Sequence, residues 1–396
     1  FLACPESRVA SNRILAKDTI VQSAKTLKRK RNGKSNYGLP KVRGDKLVLP
    51  PLIDTLTEQV DEENPYTILD LFCGAGGMSL GFEDAGFQVI LGVDHDPWAC
   101  QTFAANIPAR AIQRDLNELN TPERISEFLR QYDVKHITGV VGGPPCQGYS
   151  KVGRARLRHR DMLQGHDGRQ KDERNTLYRR FLSVVETVQP QFFVMENVPD
   201  LNTYLDEDGN GMLADRIESE FTNLGYKVER RILNAEDFGV PQSRSRLFFV
   251  GLRRTLGLEV RWPDAVRARQ IYGLQTLRSS IGDLPIVPAG FADRQTLYVN
   301  PALENWLVQW FRRGIPDNYR TVVFDHITRP HREDDKEYFQ LLAEGQKYTD
   351  LPENCRRYRS DIFKDKYHKL IWDEPSWTIT AHIKRDGYRY IHPNHE

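Results

Sequence analysis

The 396 residues are 39% hydrophobic and 28% charged, which is enough apolar material for a sizeable core and excludes a wholly disordered chain. No run approaches the ~18 apolar residues of a membrane-spanning helix, and the mean hydropathy is −0.58. The five scattered cysteines form no CxxC pair, so we expect neither a disulfide scaffold nor a metal site. A reduced compartment fits this cysteine usage, and no signal-peptide pattern is recognisable.

The small net charge of +2 hides an asymmetry between the N-terminal arm and the rest of the chain. Residues 1–50 hold 12 Lys/Arg against 3 Asp/Glu, a local charge of +9, so the remaining residues carry −7. A basic arm on a mildly acidic body indicates either a polyanionic partner, often nucleic acid, or a solvated tail. The run from Lys28 to Arg31 fits a nuclear import signal, a DNA-contacting arm or a plain tail.

From Tyr66 onward, strand-like apolar segments alternate with helix-like segments. This alternation predicts an α/β fold with a mostly parallel sheet, in which ligands sit at the carboxyl ends of the strands. After about Arg254 the alternation stops, and residues 255–396 are predicted to form a second, smaller domain. The predicted strands are YTILDLFC, FQVILGVDHD, HITGVVGG, QFFVMEN and RLFFVGL, with helices in GAGGMSLGFEDAG and in PWACQTFAANIP, which Pro97 opens.

A glycine-rich segment from Asp70 to Gly77 follows the first predicted strand, and it predicts a loop whose backbone comes close to a ligand. Asp94 ends the next strand, where a carboxylate can accept hydrogen bonds from ribose hydroxyls. Asp115, after a third segment, is placed to read an adenine amino group. A dinucleotide and S-adenosylmethionine both fit this pattern. The dinucleotide fingerprint, however, has a third glycine where this chain has Ser79, and Asp70 would repel a pyrophosphate but suits a cationic methionine.

A candidate nucleophile, Cys146, lies in the segment GGPPCQ after the predicted strand HITGVV. The two prolines restrict the backbone and present the cysteine at a strand end. Cysteine attacks as the thiolate, which nearby cations favour, and residues 151–180 hold 10 Lys/Arg against 4 Asp/Glu. A small buried hydrophobe is the alternative reading of an isolated cysteine.

An acid and two arginines complete this second group of candidates. Glu196 ends the predicted strand QFFVMEN, and burial at a strand end raises the pKa of a carboxyl group, which suits a proton donor. Arg244 and Arg246 are two residues apart in an extended segment and are predicted to share a face. There they would hold an anion or orient the acid. Thiol, acid and paired arginines at the edge of one sheet together predict a catalytic site.

In their order and approximate spacing, these motifs resemble those of the DNA (cytosine-5) methyltransferase family. The resemblance implies a Rossmann-like S-adenosylmethionine-dependent methyltransferase sheet with a second, smaller target-recognition domain. On this basis we divide the chain into a basic N-terminal extension (1–62), a catalytic domain (63–254) and a target-recognition region (255–396). The matching segments are DLFCGAGG, GVDHD, RDL, GGPPCQGYS, NTLY, MENV and QSRSR, and TLRSSIGDLP, FKDKYHKLIWDEPSWTITAHI and YRYIHP resemble the downstream region of bacterial members.

The resemblance also implies a reaction on a cytosine flipped out of double-stranded DNA. Cys146 would add to C6 of the base, Glu196 would hold and protonate N3, and C5 would take the methyl group of S-adenosylmethionine. Arg246, with Arg244 nearby, would bind the base carbonyl and position the acid. Asn197 would brace the loop that carries the cysteine, and the basic residues that follow it would close over DNA.

Cofactor binding is implied for eleven residues near the strand ends. Phe72 would stack on adenine, Asp94 would bind the ribose, and Asp115 would read the adenine amino group. Pro144 and Leu177 would line the same pocket. The full set is Asp70, Phe72, Gly74, Gly76, Gly77, Asp94, His95, Asp115, Leu116, Pro144 and Leu177.

The ninth and tenth motifs of the family find no match, since the chain stops at residue 396, where the ninth should begin. We therefore expect a truncated or split enzyme that binds its cofactor weakly alone, with a second polypeptide as a candidate partner beside DNA and no membrane. We expect a bacterial restriction-modification or defence role, in the cytoplasm at the nucleoid, or in the nucleus of a eukaryote. The alternatives are a non-catalytic or split DNA-binding subunit, an RNA cytosine-5 methyltransferase and, more distantly, a nicotinamide oxidoreductase.

Overall fold

A computed structural model of the chain describes residues 66–145, 177–205, 211–298, 305–312, 315–358, 366–379 and 388–394. The chain divides into two compact units. Unit 1 holds the residues up to Ile232 together with Arg246–Trp262, and unit 2 holds Leu233–Ser245 and the residues from Pro263 onward. The basic N-terminal extension lies outside the described residues.

This division differs from the sequence-based boundary at residue 254 in two places, and local contacts give the reason for each. Residues 255–262 stay with unit 1, where the Trp262 indole N–H donates to Glu229 Oε2 over 2.9 Å. Residues 233–245 join unit 2, where the Ser376 N–H donates to the Pro241 carbonyl over 3.0 Å. The second unit therefore draws on a segment that precedes the end of the α/β sequence pattern.

Eleven short strands form one large sheet and two strand pairs among the described residues. They are β1 (Thr67–Leu71), β2 (Gln88–Asp94), β3 (Arg110–Gln113), β4 (Gly139–Gly142), β5 (Phe192–Asn197), β6 (Tyr226–Asn234), β7 (Gln242–Ser243), β8 (Ser245–Arg253), β9 (Gln295–Leu297), β10 (Val322–Phe324) and β11 (Ser376–Trp377).

The large sheet has seven strands in the order β3-β2-β1-β4-β5-β8-β6. β1 to β5 pair in parallel, whereas β8 is antiparallel to β5. This confirms the predicted α/β fold with a mostly parallel sheet. The chain order reverses between β1 and β4, and in open sheets of this kind a crevice for ligands forms at the carboxyl ends of the strands around such a reversal.

Five helices of unit 1 accompany these strands. Two of them begin with a cap that the sequence indicates, because Asp96 and Thr121 are capping residue types that each precede a proline. In the structure both side chains accept hydrogen bonds from backbone N–H groups of the first helical turn. The predicted helix opened by Pro97 is confirmed. The helices are α1 (Gly77–Asp84), α2 (Pro97–Asn106), α3 (Pro122–Gln131), α4 (Tyr178–Val188) and α5 (Leu213–Asn223).

Helices cover both faces of the sheet, so its central strands are buried and apolar on both sides. Side chains alternate along a strand, and in β1 the neighbours Ile68 and Leu69 belong to two different apolar clusters. α1 and α2 pack on the Ile68 face, and α3, α4 and α5 pack on the Leu69 face. The resulting three-layer core fixes the strand ends rigidly.

Unit 2 has less regular structure. β9 pairs antiparallel with β10, and β7 pairs in parallel with β11. A tyrosine-rich core includes Phe339, Tyr348 and Tyr367. Its helices are α6 (Ala265–Tyr272), α7 (Leu277–Ile281), α8 (Trp306–Phe311) and α9 (Glu333–Leu341). In the part of the chain that the structure describes, every helix is too short or too polar to cross a bilayer.

The core of unit 1 provides a test of this packing. Phe193 is fully buried in β5 and stacks on Phe221 of α5, with ring centroids 4.1 Å apart. We expect Phe193→Ala to lower the free energy of unfolding by about 3–5 kcal/mol, because it removes apolar contacts and leaves a cavity. The control Ile232→Ala, on a residue that is 46% exposed, should cost well under half as much. Equal losses in urea denaturation of the two variants would contradict the assignment.

Candidate active site

Glu196 and Arg246 form an ion pair at the end of β5. Arg246 Nε lies 2.6 Å from Glu196 Oε1, and the side chains are 19% and 25% exposed, respectively. Because β8 is antiparallel to β5 and Phe248 lies opposite Glu196, Arg246 is the diagonal neighbour of the acid on the same sheet face. A charge-assisted hydrogen bond of this kind holds the carboxylate in a defined orientation.

The segment that leads to Cys146 packs against the end of β5. Asn197 Nδ2 donates to the Pro144 carbonyl over 3.2 Å. A Cβ atom built on Gly143 would lie 3.0 Å from Glu196 Oε2, so the backbone approaches the carboxylate closely and glycine leaves the carboxylate in place. Cys146 itself and residues 147–176, which carry most of the predicted basic loop, lie outside the described residues.

Arg244 stands between β7 and β8 and belongs to unit 2, whereas Arg246 belongs to unit 1. The Arg244 N–H donates to Asn234 Oδ1 over 2.9 Å, and its carbonyl accepts from the Ala235 N–H over 3.0 Å. These bonds fix its backbone within unit 2. The predicted role of Arg244 beside Arg246 stays a prediction.

The loop after β1 has an unusual backbone. Phe72, Gly74 and Gly76 all have positive φ, which is uncommon for a bulky residue such as Phe72. At Gly76 the requirement for glycine is twofold, because φ is +93° and a Cβ atom would lie 2.8 Å from Ile107 Cγ1. Gly77 is exposed and opens α1.

Asp94 ties this loop to the end of β2. Its Oδ2 accepts from the Gly74 N–H and its Oδ1 accepts from the Asp96 N–H, each over 2.9 Å. The ring of exposed His95 lies beside the same carboxylate, with Nδ1 3.2 Å from Oδ1. The carboxylate is therefore fixed at the strand end, where the sequence predicted a ribose contact.

Asp70 is the most deeply buried acid of the site, with 1% of its surface exposed. The Ser79 hydroxyl donates to its Oδ2 over 2.5 Å, while its Oδ1 is buried and has no hydrogen-bond partner among the residues that the structure describes. Burial raises the pKa of Asp70 to about 7, and the hydrogen bond from Ser79 opposes that rise. Sequence reasoning treated Ser79 as a departure from the dinucleotide fingerprint and missed its contact with the acid.

The remaining candidates flank these two groups. Asp115 is exposed and accepts from the Asn117 N–H over 2.9 Å, which caps a short 3₁₀ turn. Leu116, Pro144 and Leu177 are buried. In the described residues no cluster of three His, Cys, Asp or Glu side chains is arranged to hold a metal ion.

Asp70 gives a prediction about stability and pH in the protein without ligand. Between about pH 5.5 and pH 7 the native carboxyl group keeps its proton, whereas the same group in the unfolded chain, with its ordinary pKa of 3.8, is already ionised, so the stability of the original chain falls as the pH rises. Asp70→Asn removes this titration. Over this range we expect the free energy of unfolding of the original chain to fall, relative to that of the variant, by on the order of 2 kcal/mol, at about 1.4 kcal/mol per pH unit. Parallel pH profiles in urea denaturation would contradict the assignment.

A family model and several known proteins each match more than half of the chain. Residues 66–298 match the family model of the C-5 cytosine-specific DNA methylase. The chain is 34% identical to the type II methyltransferase M1.HphI of Haemophilus parahaemolyticus, over 81% of this chain and 72% of that protein. It is 33% identical to the type II methyltransferase M.DdeI of Desulfomicrobium norvegicum, over 82% of this chain and 74% of that protein.

A solved structure shares the fold. An E. coli prophage protein described as a DNA modification methyltransferase aligns with a TM-score of 0.59, at 24% identity, over 83% of this chain and 84% of that one. The matching sequences thus define an α/β methyltransferase. The chain belongs to the C-5 cytosine-specific DNA methylase family, and it is a DNA cytosine-5 methyltransferase. This membership removes the nicotinamide oxidoreductase from the alternatives.

Proposed function

We propose that the protein methylates C5 of cytosine in double-stranded DNA through a covalent adduct with Cys146, as the modification enzyme of a type II restriction-modification system. The observation that carries the proposal is the Glu196–Arg246 ion pair, which lies against the segment leading to Cys146. Relatives named as type II methyltransferases support the biological setting. The family's DNA specificity favours DNA over RNA as the substrate.

The residues at the ends of β1 and β2 fit S-adenosylmethionine, which supplies a methyl group when bound. The buried, unpartnered Asp70 Oδ1 matches the ammonium of its methionine part. Asp94 is placed for the ribose, Phe72 for the adenine ring and Asp115 for the adenine amino group. A dinucleotide fits poorly, because the Asp70 carboxylate would face its pyrophosphate and Ser79 stands at the third glycine position of the fingerprint.

Glu196 makes the base reactive, because cytosine alone is a poor electrophile. With Oε1 bound by Arg246, we assign Oε2, beside Gly143, to the N3 edge of the flipped base. Protonation at N3 withdraws electrons from C6, where the Cys146 thiolate adds and the C5–C6 double bond opens. Asn197 keeps the segment carrying the thiol at the right distance through its bond to Pro144.

The later steps restore the aromatic base and the free enzyme. Addition of the thiolate makes C5 nucleophilic, and C5 accepts the methyl group as its bond to the cofactor sulfur breaks. A base then removes the C5 proton, the C5–C6 double bond reforms, and the sulfur of Cys146 leaves as a thiolate. N3 returns its proton to Glu196. Flipping the cytosine costs a few kcal/mol, which contacts to the phosphates must offset. The basic residues 151–180 would provide them, so we expect binding to weaken steeply with salt.

The covalent step has a direct test at Cys146. We expect Cys146→Ser to abolish methylation, because a neutral hydroxyl is a far weaker nucleophile than a thiolate, with little change in stability. DNA carrying 5-fluorocytosine should trap a covalent adduct with the original chain, since fluorine cannot leave C5 as a cation. Mass spectrometry should place this adduct on Cys146. An adduct that persists in the serine variant would refute the assignment.

The cofactor assignment is tested at Asp94. We expect Asp94→Ala to weaken S-adenosylmethionine binding by about 1.5–3 kcal/mol in calorimetry, through loss of charge-assisted hydrogen bonds to the ribose. Glu127→Ala, an exposed acid on α3, is the control and should bind normally. NADH should not compete. Tight NADH binding, or normal cofactor affinity in Asp94→Ala, would overturn the assignment.

A further inference from the structure

Ser79 is a buried polar residue of unit 1 that the reaction does not use. It lies in the first turn of α1 with no exposed surface, and its hydroxyl donates to Asp70 Oδ2 over 2.5 Å. Burying a hydroxyl without a partner costs free energy, and the carboxylate supplies that partner. The bond joins α1 to β1, the two elements that the loop from Phe72 to Gly76 connects.

The other oxygen of the same carboxylate has no such partner. Among the described residues Asp70 Oδ1 is buried without a hydrogen bond, and the groups that shift the pKa of Asp70 are Ser79 and Asp94, neither of which is a cation. The Cys73 thiol, which interacts with Asp70, stays neutral because burial raises its pKa. In the described part of the chain the carboxylate therefore has neutral and negative neighbours, and a cationic ligand group would pair with it.

We propose that Ser79 is a positioning residue, whose hydroxyl fixes Asp70 Oδ2 and thereby presents Oδ1 to the methionine ammonium of S-adenosylmethionine. This inference rests on the proposed cofactor. A glycine at this position, as in the dinucleotide fingerprint, would leave the carboxylate without that anchor. The serine therefore adapts a glycine-rich loop to a cationic ligand.

The arrangement makes cofactor affinity depend on pH. Asp70 attracts the ammonium when it is ionised, so affinity rises as the pH passes upward through about 7. The Ser79 hydroxyl stabilises the ionised form and lowers the pKa of the acid. Removing the hydroxyl raises this pKa further, and the affinity profile moves to higher pH. A purely structural serine would not shift that profile.

Calorimetry with two ligands provides the test. S-adenosylmethionine has the methionine ammonium, and 5′-methylthioadenosine has the same nucleoside without it. We expect Ser79→Ala to weaken S-adenosylmethionine about tenfold at neutral pH, to move its affinity profile to higher pH, and to leave 5′-methylthioadenosine unchanged. Ser183→Ala, which removes a serine hydroxyl bonded within α4, is the matched control and should change neither ligand.

Asp70→Asn is the second variant, for the case that Ser79→Ala fails to fold. It should remove the pH dependence of S-adenosylmethionine binding and spare 5′-methylthioadenosine. Equal weakening of both ligands in either variant, or no change in either, would overturn the role of the Ser79–Asp70 pair. If the original chain binds neither ligand, the proposed cofactor itself fails, which is a distinct result.

Discussion

The antiparallel pairing of β8 with β5 is the constraint on which the catalytic geometry depends. If β8 were parallel to β5, the beginning of β8 would lie at the opposite edge of the sheet, far from the end of β5. Antiparallel pairing places Arg246, near the beginning of one strand, beside Glu196, near the end of the other. Glu196 is then oriented by the sheet rather than by a loop, and the segment that leads to Cys146, the proposed nucleophile, packs against the same strand end. The contacts lie at the adjacent ends of β4 and β5, where Asn197 donates to the Pro144 carbonyl and Gly143 lies beside the Glu196 carboxylate.

The cofactor half of the site shows a different solution on the same sheet. Here the two acids fix the local structure. Asp94 accepts two backbone hydrogen bonds, and Asp70 accepts one from the buried Ser79 hydroxyl. Each oxygen of Asp94 accepts one backbone hydrogen bond, while one buried oxygen of Asp70 has no partner among the described residues. Asp94 fixes the loop after β1 through its bond to Gly74. The buried Asp70 oxygen is unfavourable in free energy until a ligand group pairs with it.

The sequence sufficed for the five inner strands of the large sheet, because strands buried on both faces are continuous apolar runs, and it placed the candidate ligand residues at their ends. It missed β3 and β6, which are the two edge strands. It did not suffice for the Ser79–Asp70 bond, which requires knowing how α1 packs on β1. The sequence also did not reveal that Gly143 lies beside the Glu196 carboxylate. That contact depends on the register between β4 and β5, which are about fifty residues apart in the chain, and register is set by tertiary packing. The assignment of residues 233–245 to unit 2 was not predictable for the same reason, because β7 pairs with β11, which lies more than a hundred residues later in the chain.

That division has a consequence for protein engineering. Residues 233–245 cluster with unit 2, and the chain returns to unit 1 at Arg246, the partner of Glu196. A chimaera that exchanges unit 2 for that of a relative therefore needs two grafted pieces, the short insert and the segment from Pro263 onward. A single junction near Arg254 would leave β7 without β11, its partner strand, directly before the arginine that pairs with Glu196. We expect such hybrids to disturb this ion pair even when the transplanted unit folds correctly.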